Sequence, residues 1–132
     1  MTLRDDLIAE EGLRLKPYRD TLGKLTIGVG RNLDDVGISE AEAGVLLDND
    51  IAGHREQLER ALPWVVSRSV ACEEALTNMC FQLGLGGLLG FKSMLACLQA
   101  GDYDGARQHA LDSAWARQTP NRAAKVVEGF VP

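Results

Sequence analysis

The chain has 132 residues and a mass of 14.3 kDa, enough for one ordinary domain or two small lobes sharing a core. Apolar residues make up 45%, charged residues 25% and aromatics only 5%, so the balance is that of a soluble globular protein with an aliphatic core. With 19 acids against 14 bases the net charge is -5, which argues against nucleic acid as a partner, because phosphate attraction dominates that affinity.

The surplus is uneven: residues 1–66 hold 13 acids and 8 bases, and residues 67–132 hold 6 of each. The longest apolar stretch, Leu83 to Phe91, is broken by four glycines and is too short to enter a bilayer as a span, so no membrane insertion is expected. Asp5 and Asp6 stand where a signal peptide needs an apolar core, so no export route of the chain's own is expected. Cys72, Cys80 and Cys97 lack the C-x-x-C spacing and read as reduced thiols on helix faces.

In chain order, the first element predicted is a helix. Leu3, Leu7 and Ile8 share a face, Thr2 caps it, and Gly12 stops it after Glu11. The period then changes. Leu25, Ile27 and Val29 alternate with Thr26, Gly28 and Gly30, which predicts a strand. A three-residue loop from Thr21 to Gly23 makes a hairpin that pairs Asp20 with Lys24 and Tyr18 with Thr26. Tyr18, Asp20 and Thr26 then share one face, which two glycines leave open. Asn32 to Ile38 reads as loop with room for a short third strand.

Ser39-Glu40-Ala41-Glu42 is a capping box that opens a long, largely charged helix ending at Pro63. A buried helix is predicted over Val70 to Leu83, broken across Gly84 to Gly90. Helices follow from about Ser93 to Ala100, from Asp102 through Leu111 and over Ser113 to Arg117. Thr119 and Pro120 cap and start a last one that runs through Glu128.

Two carboxyls stand out. Glu11 closes a helix, whose negative end disfavours a second negative charge, the condition that a proton donor needs. Asp20 lies at a hairpin turn with Thr26 beside it, a wetter setting in which a carboxylate can hold a water. Two carboxyls in opposite environments suit glycoside hydrolysis.

The run Glu11-Gly12-Leu13-Arg14-Leu15-Lys16-Pro17-Tyr18-Arg19-Asp20, continued as Thr21-Leu22-Gly23-Lys24-Leu25-Thr26-Ile27-Gly28-Val29-Gly30, resembles the catalytic segment of phage-type lysozymes of the T-even kind. The resemblance resumes at Asn78 to Gly84, Gly90-Phe91, Ser113 to Trp115 and Gln118 to Ala123, in the correct order.

It implies an α+β, lysozyme-like fold over residues 1–132: a small β-hairpin lobe at about 13–38, a helical lobe from 1–12 and 64–132, a connecting helix at about 39–62, and a cleft between the lobes. The implied activity is that of a muramidase. It cleaves the β-1,4 bond between N-acetylmuramic acid and N-acetylglucosamine in peptidoglycan, with inversion, and needs no cofactor and no metal. Glu11 matches the general acid, Asp20 the second carboxylate, and Thr26 the residue that helps hold the attacking water. Arg122 matches an arginine that pairs with the glutamate, and Tyr18 supports Asp20 and Thr26. Asn32, Phe81, Gln82 and His109 match positions that line the sugar-binding cleft, whereas Trp115 reads as a packing anchor.

Arg31 departs from the family, which usually has histidine there; the position is expected to hold a structural ion pair. The segment between Asn32 and Ser39 is shorter than in the family, and the family's C-terminal extension has no counterpart. The resemblance further implies a monomeric endolysin that stays in the host cytoplasm until a holin opens the membrane and that then reaches the periplasm or cell wall. A lytic transglycosylase acting on the same bond and a non-catalytic wall-binding phage module are the alternatives.

Overall fold

The computed structural model describes residues 1–132. Thr2 and Asp5 form a reciprocal capping box that opens helix α1, Leu3–Glu11. Three antiparallel strands follow in the order β1 (Arg14–Arg19), β2 (Leu25–Gly28) and β3 (Arg31–Asn32). The β1–β2 register pairs Tyr18 with Thr26, and Asp20 N–H donates to the Lys24 carbonyl at 2.9 Å, as the hairpin reading requires. Gly23 closes the turn at φ 78°, a left-handed backbone that favours glycine. A bulge between Arg14 and Tyr18 interrupts the ladder. The short third strand is present, and β2 pairs Thr26 with Asn32.

Ser39 and Glu42 form the second capping box: Ser39 N–H donates to Glu42 Oε1 at 2.9 Å and Glu42 N–H to Ser39 Oγ at 3.1 Å. It opens α2, Glu40–Ala61. The chain divides into two compact units at a point inside this helix, Met1–Leu46 and Leu47–Pro132. Each is described by itself.

In the first unit only Thr26 is buried. Helix α1 has no fully buried residue: Leu3 and Leu7 are exposed and Ile8 is half-buried. Arg31 makes the ion pair expected at its position. Its Nη1 donates to Glu42 Oε1 at 2.8 Å and to the Gly37 carbonyl at 3.1 Å. The hydrogen bond from Arg31, with the Ser39 groups behind it, lowers the Glu42 carboxyl to about 2.

The second unit holds the apolar core. After α2 the chain makes a 3-10 turn, Pro63–Ser67, where the sequence showed only a stop at proline. Then come α3 (Val70–Leu89), α4 (Lys92–Ala100), α5 (Tyr103–Leu111), α6 (Ala114–Gln118) and α7 (Pro120–Val127). Leu58, Val65, Cys72, Leu76, Met79, Cys80, Leu88, Leu98 and Phe130 are fully enclosed, an aliphatic and sulfur-rich core as the low aromatic content anticipates. The three thiols are free, and burial raises each of them above the ordinary thiol range.

Two expectations need correction here. The break after Leu83 is confined to Gly84, after which the helix resumes to Leu89, because Gly86 and Gly87 keep helical geometry. Thr119 precedes α7 without capping it; its hydroxyl donates instead to the Trp115 carbonyl at 2.9 Å. No single helix is long and apolar enough to cross a membrane.

Candidate active site

The first unit brings Glu11, Tyr18, Asp20, Thr26 and Asn32 onto one small scaffold. Glu11 is the last residue of α1, so its side chain is delivered by a helix end. It lines a groove of about 640 Å³ with Leu3, Leu7, Ile8, Leu13 and Val29. Its carboxylate lies over Gly30. A Cβ built on Gly30 would stand 3.1 Å from Glu11 Oε2, closer than side chains ordinarily pack. Gly30 also has φ 69°, so glycine is favoured there both by the backbone and by the neighbour.

Asp20 is fixed by its own turn. Its Oδ1 accepts from Leu22 N–H at 2.9 Å and Lys24 N–H at 2.8 Å, an arrangement typical of Asp at a turn. Oδ2 has no such bond and is left for another donor. Thr26, 3% exposed, donates its hydroxyl hydrogen to the Lys24 carbonyl at 2.9 Å. The oxygen therefore keeps its lone pairs for accepting. The adjoining turn thus binds both side chains: the Lys24 backbone gives its N–H to Asp20 and its carbonyl to Thr26.

Tyr18, Thr26 and Asn32 form one row across the sheet through the two registers. Arg14 lies over the Tyr18 ring, 4.5 Å from its centroid, in cation–π contact. Asn32 is engaged at both ends of its amide. Nδ2 donates to Asp35 Oδ2 at 3.0 Å, and Oδ1 accepts from Asp35 N–H at 2.9 Å. Lys24 reaches the same aspartate, Nζ to Oδ1 at 3.1 Å. That bond raises the Lys24 ammonium, and together with Asn32 it holds the Asp35 carboxyl below its ordinary range. This Asn32–Asp35–Lys24 link has no signature in the sequence, since it depends on how a loop folds back over eleven positions.

The remaining candidates lie in the second unit, at three places. Phe81, 43% exposed, and Arg122 line one groove of about 390 Å³ with Leu47, Ile51, Thr77 and Asn78. The Phe81 ring tilts against His54 with centroids 5.3 Å apart. Arg122 donates from Nε at 3.1 Å and Nη2 at 2.9 Å to Asn78 Oδ1. Gln82 accepts from the indole of Trp115 at 2.9 Å, and Trp115 is 6% exposed, the packing anchor expected. His109 lines another groove of about 610 Å³ with Phe91, Lys92, Asp112 and Trp115.

A helix-borne glutamate, a turn-held aspartate and a buried threonine thus lie within 16 positions of chain. The family model for phage lysozyme matches residues 9–132. The chain belongs to the phage lysozyme family. Among the relatives of this family member, the pre-baseplate central spike protein Gp5 of Enterobacteria phage T4 is 31% identical, with 96% of this chain and 27% of that protein covered. A probable T4-type lysozyme 1 of Dictyostelium discoideum is 26% identical over 96% of this chain and 91% of its own length. The SAR-endolysin of Escherichia phage Mu is 34% identical over 79% of this chain and 61% of its own. This chain thus spans about a quarter of the length of the spike protein and most of that of the Dictyostelium relative. The family assignment carries glycoside hydrolase chemistry in broad terms.

Proposed function

We propose that the chain hydrolyses peptidoglycan at the β-1,4 bond between N-acetylmuramic acid and N-acetylglucosamine, with inversion. Glu11 gives its proton to the glycosidic oxygen as the bond from the anomeric carbon breaks. A water bound to Asp20 and Thr26 attacks that carbon from the opposite face, and its proton passes to Asp20. Bond cleavage and water attack together return one hydroxyl to each fragment. The observation that carries this reading is that the Lys24 backbone holds both side chains, its N–H on Asp20 Oδ1 and its carbonyl on the Thr26 hydroxyl, which leaves each with acceptor capacity for a water. In the same proposal Tyr18 and Arg122 support the site, while Asn32, Phe81, Gln82 and His109 contribute to sugar binding. Host lysis after holin-mediated release, action as a monomer, and transit from cytoplasm to periplasm or cell wall belong to it as well.

The likeness to a spike protein supports a second setting, in which the same domain works as part of a larger phage particle. A transglycosylase needs no water-holding aspartate, so the fixed Asp20 favours hydrolysis. End-group analysis of digested peptidoglycan tests the choice. Hydrolysis leaves reducing N-acetylmuramic acid ends, and a transglycosylase leaves 1,6-anhydro ends lighter by one water. Full activity in a Glu11→Gln variant would refute the mechanism.

A further inference from the structure

The charge of this acidic chain is not spread evenly over its surface. Residues 13–33 hold five bases, Arg14, Lys16, Arg19, Lys24 and Arg31, against the single acid Asp20. The other 111 residues hold nine bases and eighteen acids. The β-sheet is therefore a cationic island on a chain that otherwise repels anions.

Two of the five cations are spoken for. Lys24 pairs with Asp35 and Arg31 with Glu42. The other two ion pairs, Arg60 with Glu56 and Arg107 with Asp104, lie elsewhere. Arg14, Lys16 and Arg19 have no carboxylate partner, and all three are exposed along strand β1. β1 is an edge strand, since the sheet order is β1-β2-β3. A lysine and a proline on such a strand discourage edge-to-edge pairing. That accounts for Lys16 and Pro17. It does not account for Arg14, which is held over the Tyr18 ring, or for Arg19, whose Nη1 is held at 3.0 Å by the Gly23 carbonyl. Both guanidinium groups are oriented without being neutralised. Arg14 shares the sheet face of Tyr18, and through the register that of Thr26, whereas Arg19, paired with Leu25, takes the opposite face, so the cations line both sides of one exposed edge. The strand leads directly into Asp20.

We propose that Arg14, Lys16 and Arg19 form a docking stripe for the carboxylates of the peptide stems that peptidoglycan carries on its N-acetylmuramic acid residues. The inference rests on the hydrolase reading above and adds to it a contact with the peptide. A guanidinium matches a carboxylate in planar, two-pronged geometry, which suits two arginines flanking a lysine. The acidic remainder of the chain turns other orientations of an anionic polymer away, so the stripe sets the approach as well as the affinity.

The test measures binding apart from catalysis. A Glu11→Gln chain is cosedimented with purified sacculi, with sacculi whose stem carboxylates have been amidated, and with a short DNA duplex. The same is done in the Glu11→Gln background with Arg14→Gln, Lys16→Gln and Arg19→Gln combined. We expect the triple change to weaken binding to native sacculi by about tenfold at low salt, the product of three exposed charge contacts each worth roughly twofold. Amidation should weaken the parent chain to the same level, and salt should abolish the difference. Arg14→Lys with Arg19→Lys keeps the charge but not the two-pronged contact, so it should recover the salt-dependent part of the binding and stay below the parent, a partial rescue that a folding defect would not allow. Equal binding by the triple variant, or equal binding to native and amidated sacculi, would overturn the stripe. So would retention of DNA as strong as that of sacculi and lost in the same variant. The two readings fail separately. If the unaltered chain releases no reducing ends while the stripe variant still loses sacculus binding, hydrolysis falls and the stripe stands.

Discussion

Gly30→Ala separates two consequences of one missing side chain. The residue has φ 69°, and left-handed backbone costs a non-glycine residue about 1–2 kcal/mol. The added methyl would also stand 3.1 Å from Glu11 Oε2, so the carboxylate must yield by a few tenths of an ångström. Because that oxygen is the far end of a flexible side chain, it moves cheaply, and the crowding adds little to the loss of stability. Gly37→Ala is the control. Its φ is 66°, its new Cβ would meet only the Leu33 carbonyl at 3.9 Å, and its backbone bonds are to Arg31 and Asn32 and to none of Glu11, Asp20 and Thr26. Both variants should therefore lose about 1–2 kcal/mol in urea denaturation. Only Gly30→Ala should lose turnover. A misplacement of about 1 Å can cost roughly a hundredfold, so a shift of a few tenths should cost about three- to tenfold in kcat. Release of reducing ends from peptidoglycan, under saturating substrate, reads that number. Equal loss of kcat in both variants, or full turnover in Gly30→Ala despite the expected destabilisation, would refute the placement of Glu11 over Gly30.

Three further outcomes follow from the same geometry. Asp20→Asn keeps the Oδ1 acceptor that Leu22 and Lys24 use, so its melting temperature should stay within about 2 °C of the parent while kcat drops by about 10²–10⁴; a fall in stability with intact activity would reverse the roles. Glu42 is lowered from 4.5 to about 2, so the stability it contributes is fully present above pH 4.5 and is lost as pH falls toward 2. The gap in melting temperature between the parent and Glu42→Gln should shrink over that window, and a constant gap would contradict the Arg31 contact. Gln82→Leu leaves the Trp115 indole N–H buried and unpaired, at a cost of about 1–3 kcal/mol by chemical denaturation followed through tryptophan fluorescence; an unchanged midpoint would show that the bond is not formed in solution.

What the sequence disclosed was local. The hairpin register followed from the spacing of Gly23 between Asp20 and Lys24, and the capping box at Ser39 and Glu42 from residues three apart, whereas at the first helix Thr2 was legible as a cap and its return bond from Asp5 was not. Arg31 was legible as needing a partner, though Glu42, eleven positions on, became visible only once the loop had folded. Three features were out of reach for the same reason. Gly30 reads as one of several glycines until α1 brings Glu11 onto it, nineteen positions away in sequence. Asn32 reads as a cleft residue, whereas its amide is bound at both ends by Asp35. The turn at Pro63–Ser67 carries no signal beyond a proline that also ends helices. The glycine-rich stretch misled in the other direction: glycine permits a break without requiring one, and Gly84 alone departs from helical geometry.

The direction of one hydrogen bond has a bearing on which products form. Thr26 gives its only hydroxyl hydrogen to the Lys24 carbonyl, so toward a bound nucleophile it can only accept, and so can the Asp20 carboxylate. In the proposed reaction, a nucleophile held by both must bring two hydrogens and still keep a lone pair for the anomeric carbon. Water meets that condition. The hydroxyl of another sugar has a single hydrogen and would leave one acceptor unpaired, a deficit of about 1–3 kcal/mol. In that reaction a tenfold to hundredfold discrimination against glycan acceptors would rest on the polarity of a threonine, and a cut strand would be released and not rejoined to another.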